Sequence, residues 1–385
     1  MTDAIPLSVY VHIPWCVRKC PYCDFNSHAL SGDVDQAVYV RALLRDLDIQ
    51  LATQSRSPAL SLFIGGGTPS LFDGRAIAAL IDGIDDRLGF VADAEITLEA
   101  NPGTVEAHRF VDYRAAGVNR LSIGVQSLDD ARLGVLGRIH SAAEARTAAT
   151  LARRAGFDNL NLDLMYALPG QDVAAALADL AGVIALDPTH LSWYQLTLEP
   201  NTWFSHRPPP GLPDDDGIAD IMDAGQARLA AAGYVQYEVS AYARDGRRCR
   251  HNLNYWGFGD YLGLGAGAHG KLTGGPGDVV RTTRPRRPEA YLDAVAAGAL
   301  PRRHMVAPDT LPLEFMLNAL RLSDGVPATW FSARTGLALA SIAAAVAHAR
   351  ELGLLAPDPD RIRPTPFGQR FLNDLLALFE PGGDT

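Results

Sequence analysis

Three of the four cysteines in the 385-residue chain lie close together, as Cys16, Cys20 and Cys23. A Cys-x-x-x-Cys-x-x-Cys cluster is typical of metal ligation and not of a disulfide framework. Structural zinc takes four ligands, and the fourth would have to be a histidine, His12 or His28, or the distant Cys249. Iron–sulfur clusters also usually take four cysteines. Three thiolates at this spacing therefore favour a [4Fe–4S] cluster with one iron open to another ligand.

A second segment with chemical meaning is Gly65-Gly66-Gly67-Thr68-Pro69. Without side chains, the backbone here can approach a ligand closely. A phosphate-binding loop is one alternative, but the Gly-Lys-Ser/Thr that would contact phosphate and magnesium does not follow. A plain turn is the other alternative. The functional interpretation is that backbone carbonyls accept hydrogen bonds from the ammonium group of a bound amino acid.

Composition limits the classes of function. The net charge of −10 argues against a nucleic-acid-binding surface, which needs a concentrated basic face. The 48% hydrophobic content and the length suggest a large core and two domains. The N-terminus has no basic signal region, and the longest apolar run, Leu337 to Val346, is too short to span a bilayer. We expect a cytoplasmic protein with no transmembrane segment.

The elements that position these motifs alternate along the chain. Apolar, β-branched runs with helical stretches between them predict parallel strands joined by helices. The predicted strands are Leu7–Ile13, Leu60–Ile64, Glu95–Leu98, Arg120–Val125, Asn159–Leu164 and His190–Leu196. We expect an α/β fold, a partial (β/α)6 barrel of the TIM type, with a flat doubly wound sheet as the alternative. The polar motifs follow the strands, at the end where barrel enzymes build their sites.

The repetition stops near residue 240, so we predict a barrel over residues 1–240. Residues 241–304 form a Gly/Arg/Pro-rich connecting region, in which Gly257–Gly277 and Arg281–Pro288 are predicted to be loop or linker. Residues 305–385 are predicted to form a small helical, winged-helix-like domain. The predicted helices are Leu311–Leu320, Ala328–Arg334, Leu339–Leu352 and Phe367–Phe379, with a two-stranded wing at Leu354–Arg363. Nine acids against eight arginines in 302–385 favour scaffolding or partner docking over DNA binding.

These motifs resemble those of the radical S-adenosylmethionine (SAM) proteins, within them the group related to the oxygen-independent coproporphyrinogen III oxidase. The resemblance rests on Tyr10-Val11-His12-Ile13-Pro14-Trp15-Cys16, the three-cysteine loop and Gly-Gly-Gly-Thr-Pro. It implies that the three cysteines hold the cluster. It also implies SAM contacts at Tyr10, Tyr22, Gly66, Gly67, Thr68, Glu99, Gln126, Arg138 and Asp163. For Gln126, Arg138 and Asp163, a salt bridge at the barrel rim is the alternative.

Two departures separate the chain from that oxidase. The oxidase has a further cysteine two residues after the third, where this chain has Asp24 and Phe25 after Cys23, and a longer segment before the cluster. Both departures resemble the heme chaperone branch of the family. That resemblance implies that the chain binds heme and delivers it to apo-hemoproteins such as respiratory enzymes. The alternatives are a radical enzyme acting on coproporphyrinogen III or another tetrapyrrole, and a cluster-bearing partner protein that never cleaves SAM.

The same branch carries a His-Asn-x-x-Tyr-Trp signature, here His251-Asn252-Leu253-Asn254-Tyr255-Trp256. The resemblance implies that His251 is an axial heme ligand oriented by Asn252, with Tyr255 and Trp256 offering flat faces. A hydrogen-bonded turn is the alternative. Three interpretations stay open for the nearby Cys249: a second heme ligand, a late cluster ligand or a buried thiol. The sequence assigns no role to His269. A homodimer is a possible assembly.

Overall fold

The computed structural model describes residues 5–30, 32–53, 57–103, 108–275 and 277–381. The strands are β1 (Leu7–Ile13), β2 (Trp15–Cys16), β3 (His28–Ala29), β4 (Ala59–Gly66), β5 (Phe90–Ala100), β6 (Arg120–Gln126), β7 (Leu160–Tyr166), β8 (His190–Gln195), β9 (Val235–Glu238), β10 (Ala241–Ala243), β11 (Asp260–Leu264), β12 (His269–Thr273), β13 (Val279–Thr283), β14 (Arg302–Met305), β15 (Val326–Pro327) and β16 (Arg361–Ile362).

The α-helices run between and after these strands. They are α1 (Gln36–Leu51), α2 (Gly74–Leu88), α3 (Phe110–Ala115), α4 (Asp130–Val135), α5 (Ala142–Arg154), α6 (Val173–Ile184), α7 (Trp203–His206), α8 (Asp215–Ala231), α9 (Arg250–Trp256), α10 (Pro288–Ala296), α11 (Leu311–Ala319), α12 (Thr329–Thr335), α13 (Ala343–Glu351), α14 (Pro366–Arg370) and α15 (Leu372–Ala377). Short 3-10 helices cover Pro69–Leu71 and Leu339–Ile342.

One large sheet organises the chain. Within the described ranges its strand order is β14-β13-β12-β11-β1-β4-β5-β6-β7-β8-β10-β9. The neighbours from β11 to β8 are parallel, and the strands beyond them at both ends are antiparallel. The two ends of this order do not pair with each other, so the barrel is open. All six predicted strands and the partial barrel are confirmed, and β11 adds a seventh parallel strand beside β1.

The connecting region differs from its prediction. The stretch predicted to be loop or linker contains β11, β12 and β13, which extend the sheet from β1. Its glycines permit close backbone packing: a Cβ at Gly263 would lie 2.0 Å from the carbonyl oxygen of His269, and one at Gly265 would lie 2.4 Å from that of His12. Glycine enrichment here therefore reflects tight strand contacts and not a flexible linker.

The C-terminal helices pack around a separate apolar core that includes Phe315, Phe331 and Ile342. The two-stranded wing predicted at Leu354–Arg363 does not form by pairing within that segment. β16 pairs with β15 from the preceding loop, and a single bridge joins Leu355 to Pro364 in place of a full hairpin. The predicted last helix is interrupted at Phe371, whose backbone leaves the helical region, giving α14 and α15.

Among the described residues, no single helix is long and apolar enough to cross a membrane. The helical segments Thr329–Thr335 and Leu339–Glu351 reach the required length and apolarity only when they are taken together, and the chain bends by 112° between them.

Candidate functional site

A cavity of about 420 Å³ opens where the parallel strands end. Its walls come from the segments that follow β1, β4, β5, β6, β7 and β8, as expected for a barrel site. The structure brings eight of the nine predicted SAM residues together with the three cysteines in this lining. These residues are Cys16, Cys20, Tyr22, Cys23, Gly66, Gly67, Thr68, Glu99, Gln126, Arg138 and Asp163.

The cysteine loop is pinned at both ends by backbone pairing. β2, which contains Cys16, pairs with β3, and the amide of Leu30 donates to the carbonyl of Cys16 over 2.9 Å. Within the loop, the amide of Cys23 donates to the carbonyl of Cys20 over 3.2 Å. Burial raises the pKa of the Cys16 and Cys23 thiols. Metal ligation would therefore supply the positive charge that ionises them.

The donor set fits a cluster better than a single ion. Among the residues that the structure describes, no three His, Cys, Asp or Glu side chains converge on one point as a mononuclear metal site requires. A cubane has no such requirement, since each thiolate binds a different iron. Three cysteines around one end of a cavity thus match a [4Fe–4S] cluster with one iron facing the remaining space.

The glycine motif forms the wall beside the cysteine loop. Gly66 has φ +114°, and a Cβ there would lie 2.6 Å from the ring of His12. A Cβ at Gly67 would lie 2.5 Å from the carbonyl oxygen of Trp15. The amide of Gly66 donates to Glu99 Oε2 over 3.1 Å. Only glycine lets this strand end approach both the cysteine loop and a ligand.

Arg138 lines the cavity between the ends of β5 and β6 and the cysteine loop. Its Nη2 donates to Asn101 Oδ1 over 2.7 Å and to the carbonyl oxygen of Gly124 over 2.9 Å. Its Nη1 lies 3.7 Å from Cys20 Sγ. A guanidinium in this position can bind the carboxylate of a ligand seated on the cluster. Asn101 was not among the predicted site residues, although it follows β5 in the same motif as Glu99.

Two buried carboxyl groups, Glu99 and Asp163, also line the cavity. Burial, with a further contribution from Asp163, raises the pKa of Glu99 to about 8. Burial also raises the pKa of Asp163, which accepts from Asn161 Nδ2 over 2.8 Å and from Ser122 Oγ over 3.3 Å. Carboxyl groups in such surroundings gain stability when a ligand ammonium or hydroxyl donates to them.

Gln126, another lining residue, has a strained backbone conformation. It has φ +67°, and its Oε1 accepts from the hydroxyl of Tyr194 over 2.7 Å. Tyr194 also lines the cavity but was missed from the sequence. Its position near the C-terminal end of β8, a strand that the sequence predicts, was the signal that could have found it.

Tyr10 lies behind the cavity and is not among its lining residues. Its hydroxyl and His12 Nδ1 share a hydrogen bond of 2.9 Å, and His12 Nε2 contacts the carbonyl oxygen of Asn26 over 2.8 Å. His12 in turn lies directly under Gly66. In the structure Tyr10 thus reaches the glycine motif through His12, and its direct contact with SAM stays a prediction.

The predicted heme histidine lies at the floor of the barrel. His251 is only 8% exposed, and its Nδ1 is 3.1 Å from Ser61 Oγ. Burial lowers the pKa of His251 to about 4, so the imidazole is neutral. It is not part of the cavity lining. Axial heme ligation by His251 stays a prediction, one that requires the imidazole to become accessible.

Glu95 anchors the helix that carries this histidine. Its carboxylate accepts from the amides of Arg250 and His251 over 3.1 and 3.2 Å and from Cys249 Sγ over 3.2 Å. Burial raises the pKa of the Cys249 thiol to about 12. Cys249 also lies outside the cavity lining, so the structure matches a buried thiol and not a late cluster ligand.

The two aromatic residues of the signature have different neighbours. Trp256 packs beside that core with the guanidinium of Arg321 over its ring, at 4.3 Å from the centroid. The rings of Tyr255 and Tyr261 lie 4.9 Å apart by centroid. Asn252 is half-buried. Helix α9 therefore joins the barrel floor to the C-terminal domain.

The open barrel, the three-cysteine loop and the glycine wall define a radical SAM protein. The sequence model of the Radical SAM superfamily matches residues 10–181, and that of the HemN C-terminal domain matches residues 306–371. The crystal structure of coproporphyrinogen III oxidase (HemN) from Escherichia coli shares the fold, with a TM-score of 0.82 at 24% identity, over 98% of this chain and 90% of that one.

Comparison with curated proteins narrows the family. The chain is 53% identical to "Heme chaperone HemW" of Escherichia coli, over 98% of this chain and 99% of that protein. It is 48% identical to "Heme chaperone HemW" of Haemophilus influenzae, over 97% and 98%. It is 37% identical to the bovine mitochondrial "Radical S-adenosyl methionine domain-containing protein 1", over 96% and 86%. The chain therefore belongs to the HemW family, which confirms the predicted branch.

Proposed function

We propose that this protein is a heme chaperone that carries a [4Fe–4S] cluster, binds SAM, and delivers heme to apo-hemoproteins such as respiratory enzymes. The observation that carries the proposal is the 53% identity to a heme chaperone over 98% of the chain. A cytoplasmic location and a homodimer stay predictions from the sequence.

The cavity supports the cluster and SAM parts of the proposal. Cys16, Cys20 and Cys23 would hold three irons, and the fourth would face the space beside Gly66 and Arg138. Arg138 would bind the carboxylate of SAM, while Glu99 and Asp163 would accept from its ammonium and ribose hydroxyls. The bound cluster supplies one-electron chemistry at the open iron.

The alternative oxidase reading is disfavoured at the cysteine loop. The residues after Cys23 are Asp24 and Phe25, both exposed at the cavity edge, where the oxidase resembled here has a further cysteine. Among the described lining residues the three loop cysteines are the thiols present. The overall likeness to the oxidase, at 24% identity, supports a common fold and not a common reaction.

The test uses the full chain, reconstituted with iron and sulfide without oxygen. We expect about four irons and four sulfides per chain, one heme bound per chain, and transfer of that heme to apomyoglobin as a generic acceptor. Cys20→Ser should lose the cluster, and Cys249→Ser, the matched control, should keep it. A protein that fails to bind heme stoichiometrically but releases carbon dioxide from coproporphyrinogen III in the presence of SAM would instead be an oxidase.

A further inference from the structure

The antiparallel extension of the sheet carries one exposed row of side chains. His269 on β12 pairs with Thr283 on β13, which pairs with Arg302 on β14. Directly opposed residues in antiparallel strands place their side chains on the same face. On β11, the neighbour of His269 on this face is Gly263, which lies against the His269 backbone. We call these four residues the shelf.

The three side chains of the shelf reach solvent, whereas Gly263 is buried and the next residues of β12 and β13 on the same face are covered. His269 and Arg302 are exposed and Thr283 is half-exposed. Two residues along β13, Arg281 donates to Glu314 over 2.7 Å, and beyond it Val279 packs into the C-terminal core. On β13 the C-terminal domain thus covers this face up to Arg281, while His304 opposite Arg281 on β14 is exposed and the side chains of the shelf stay free.

The imidazole and guanidinium groups of the shelf are available to bind a ligand. Within the part of the chain that the structure describes, neither the His269 imidazole nor the Arg302 guanidinium has a hydrogen bond or ion pair. Burial, aided by the positive charges of Arg281 and Arg286, lowers the pKa of His269. The imidazole is therefore neutral at neutral pH, the form that binds iron.

The signature helix reaches the same face of the sheet. Tyr255 packs on Tyr261, which pairs with Lys271, and Lys271 lies two residues from His269 on β12. Arg281 Nη1 donates to the hydroxyl of Tyr261 over 3.1 Å. Two residues along a strand span about 6.6 Å. An aromatic ring of the signature therefore lies about one side-chain row away from the shelf.

We propose that heme binds on this shelf, with His269 as axial ligand and Arg302 pairing with a propionate. The proposal deepens the proposed heme chaperone function and rests on it. A flat iron porphyrin with two carboxylates needs an accessible neutral imidazole, a cation and open space. The shelf offers all three at the protein surface, where heme can enter and leave without opening the barrel. The buried His251 would then hold the signature helix in place.

The experiment titrates heme into the full-length wild type and four variants. His269→Gly should weaken heme binding by about tenfold or more and shift the Soret band. Added imidazole should restore the Soret band of His269→Gly, because free imidazole can replace a lost iron ligand. Arg302→Gln should weaken binding by a smaller factor and leave the Soret position unchanged. His348→Ala, an exposed histidine on the C-terminal domain, is the matched control, and His251→Ala tests the competing ligand.

The outcomes separate this inference from the proposed function. Heme that binds the wild type but ignores His269→Gly, with the Soret shift appearing in His251→Ala, overturns the shelf and leaves the chaperone intact. Loss of binding in His269→Gly without imidazole rescue also contradicts axial ligation. A wild type that binds no heme contradicts the proposed function itself.

Discussion

The Arg138 guanidinium lies 3.7 Å from the sulfur of Cys20, with its other nitrogen fixed by Asn101 over 2.7 Å. A permanent positive charge is thus held beside the cysteine loop by a neutral amide. In the proposed function, this placement would let one side chain act on both the cluster and SAM.

Arg138→Met should weaken SAM binding and lower the reduction potential of the reconstituted cluster. Removing a nearby cation makes the addition of an electron less favourable, and the ligand carboxylate loses its partner. Potentiometric titration followed by electron paramagnetic resonance measures the shift. Arg132→Met is the control, because Arg132 pairs with Asp129 outside the cavity lining. An unchanged potential in Arg138→Met would show that the guanidinium does not influence the cluster.

Gly66→Ala should reduce SAM affinity by about tenfold or more, a change of about 1.4 kcal/mol. The added Cβ would meet the His12 ring at 2.6 Å, and φ +114° is unfavourable for any side chain. Equilibrium dialysis with labelled SAM measures the affinity. Gly134→Ala in α4, where a Cβ meets nothing within 4 Å, should bind SAM as the wild type does. Equal affinities for the two variants would mean that the glycine wall is not part of the SAM site.

Glu99→Gln should remove a pH-dependent loss of stability from the cluster-free protein. The folded-state pKa of Glu99, about 8, lies above its ordinary 4.5, so between these values the folded chain keeps a proton that the unfolded chain has released. Stability therefore falls as the pH rises through this window. Relative to wild type, Glu99→Gln should become more stable from pH 5 to pH 8, by more than about 1 kcal/mol.

Urea denaturation at several pH values measures this difference, and Glu144→Gln supplies a control of opposite sign. Hydrogen bonds from Ser141 lower the pKa of Glu144, so its ionised form stabilises the fold at higher pH. The cost of Glu144→Gln should therefore grow as the pH rises towards the ordinary value of 4.5 and stay constant from pH 5 to pH 8, where the wild-type difference at Glu99 develops. Parallel pH profiles for wild type and Glu99→Gln would contradict the raised pKa.

Glu95→Ala should destabilise the protein by about 3–5 kcal/mol, because it leaves buried donors without an acceptor. The carboxylate receives two α9 amides and a thiol, and it lies 4.0 Å from the buried guanidinium of Arg120. Asp48→Ala, which breaks the exposed pair with Arg87, should cost less than about 1 kcal/mol. Similar costs for the two variants, measured by urea denaturation, would mean that α9 is not anchored at Glu95.

The central barrel and the site lining could be predicted because their signals are local. A β-branched run followed by a polar motif identifies both a strand and its contribution to the rim, as in β4 and the Gly66 wall. The spacing of Cys16, Cys20 and Cys23 likewise predicts metal ligation from one short segment. These features need no knowledge of distant partners.

The remainder depends on contacts between distant parts of the chain. Glycines around β11 favour turns locally, and only the free edge of β1 makes them a strand. His251 reads as a polar residue in a loop, but its partners Ser61 and Glu95 lie 190 and 156 residues away. Asn101 and Tyr194 lie at the ends of predicted strands, but their hydrogen bonds to Arg138 and Gln126 depend on strand register, which the sequence does not specify by itself.

The pairing of β11 with β1 has a consequence for the order of events on the ribosome. Asn26 in the cysteine loop donates to the carbonyl oxygens of Ala266 and Arg286 over 3.0 and 2.8 Å. The N-terminal cysteines thus emerge long before the backbone that braces them. A nascent chain halted near residue 240 would expose one edge of β1 and an unsupported thiol loop, open to neighbouring chains and to oxidants. We therefore expect the cysteine loop to gain its full set of backbone contacts only after synthesis has passed Arg286.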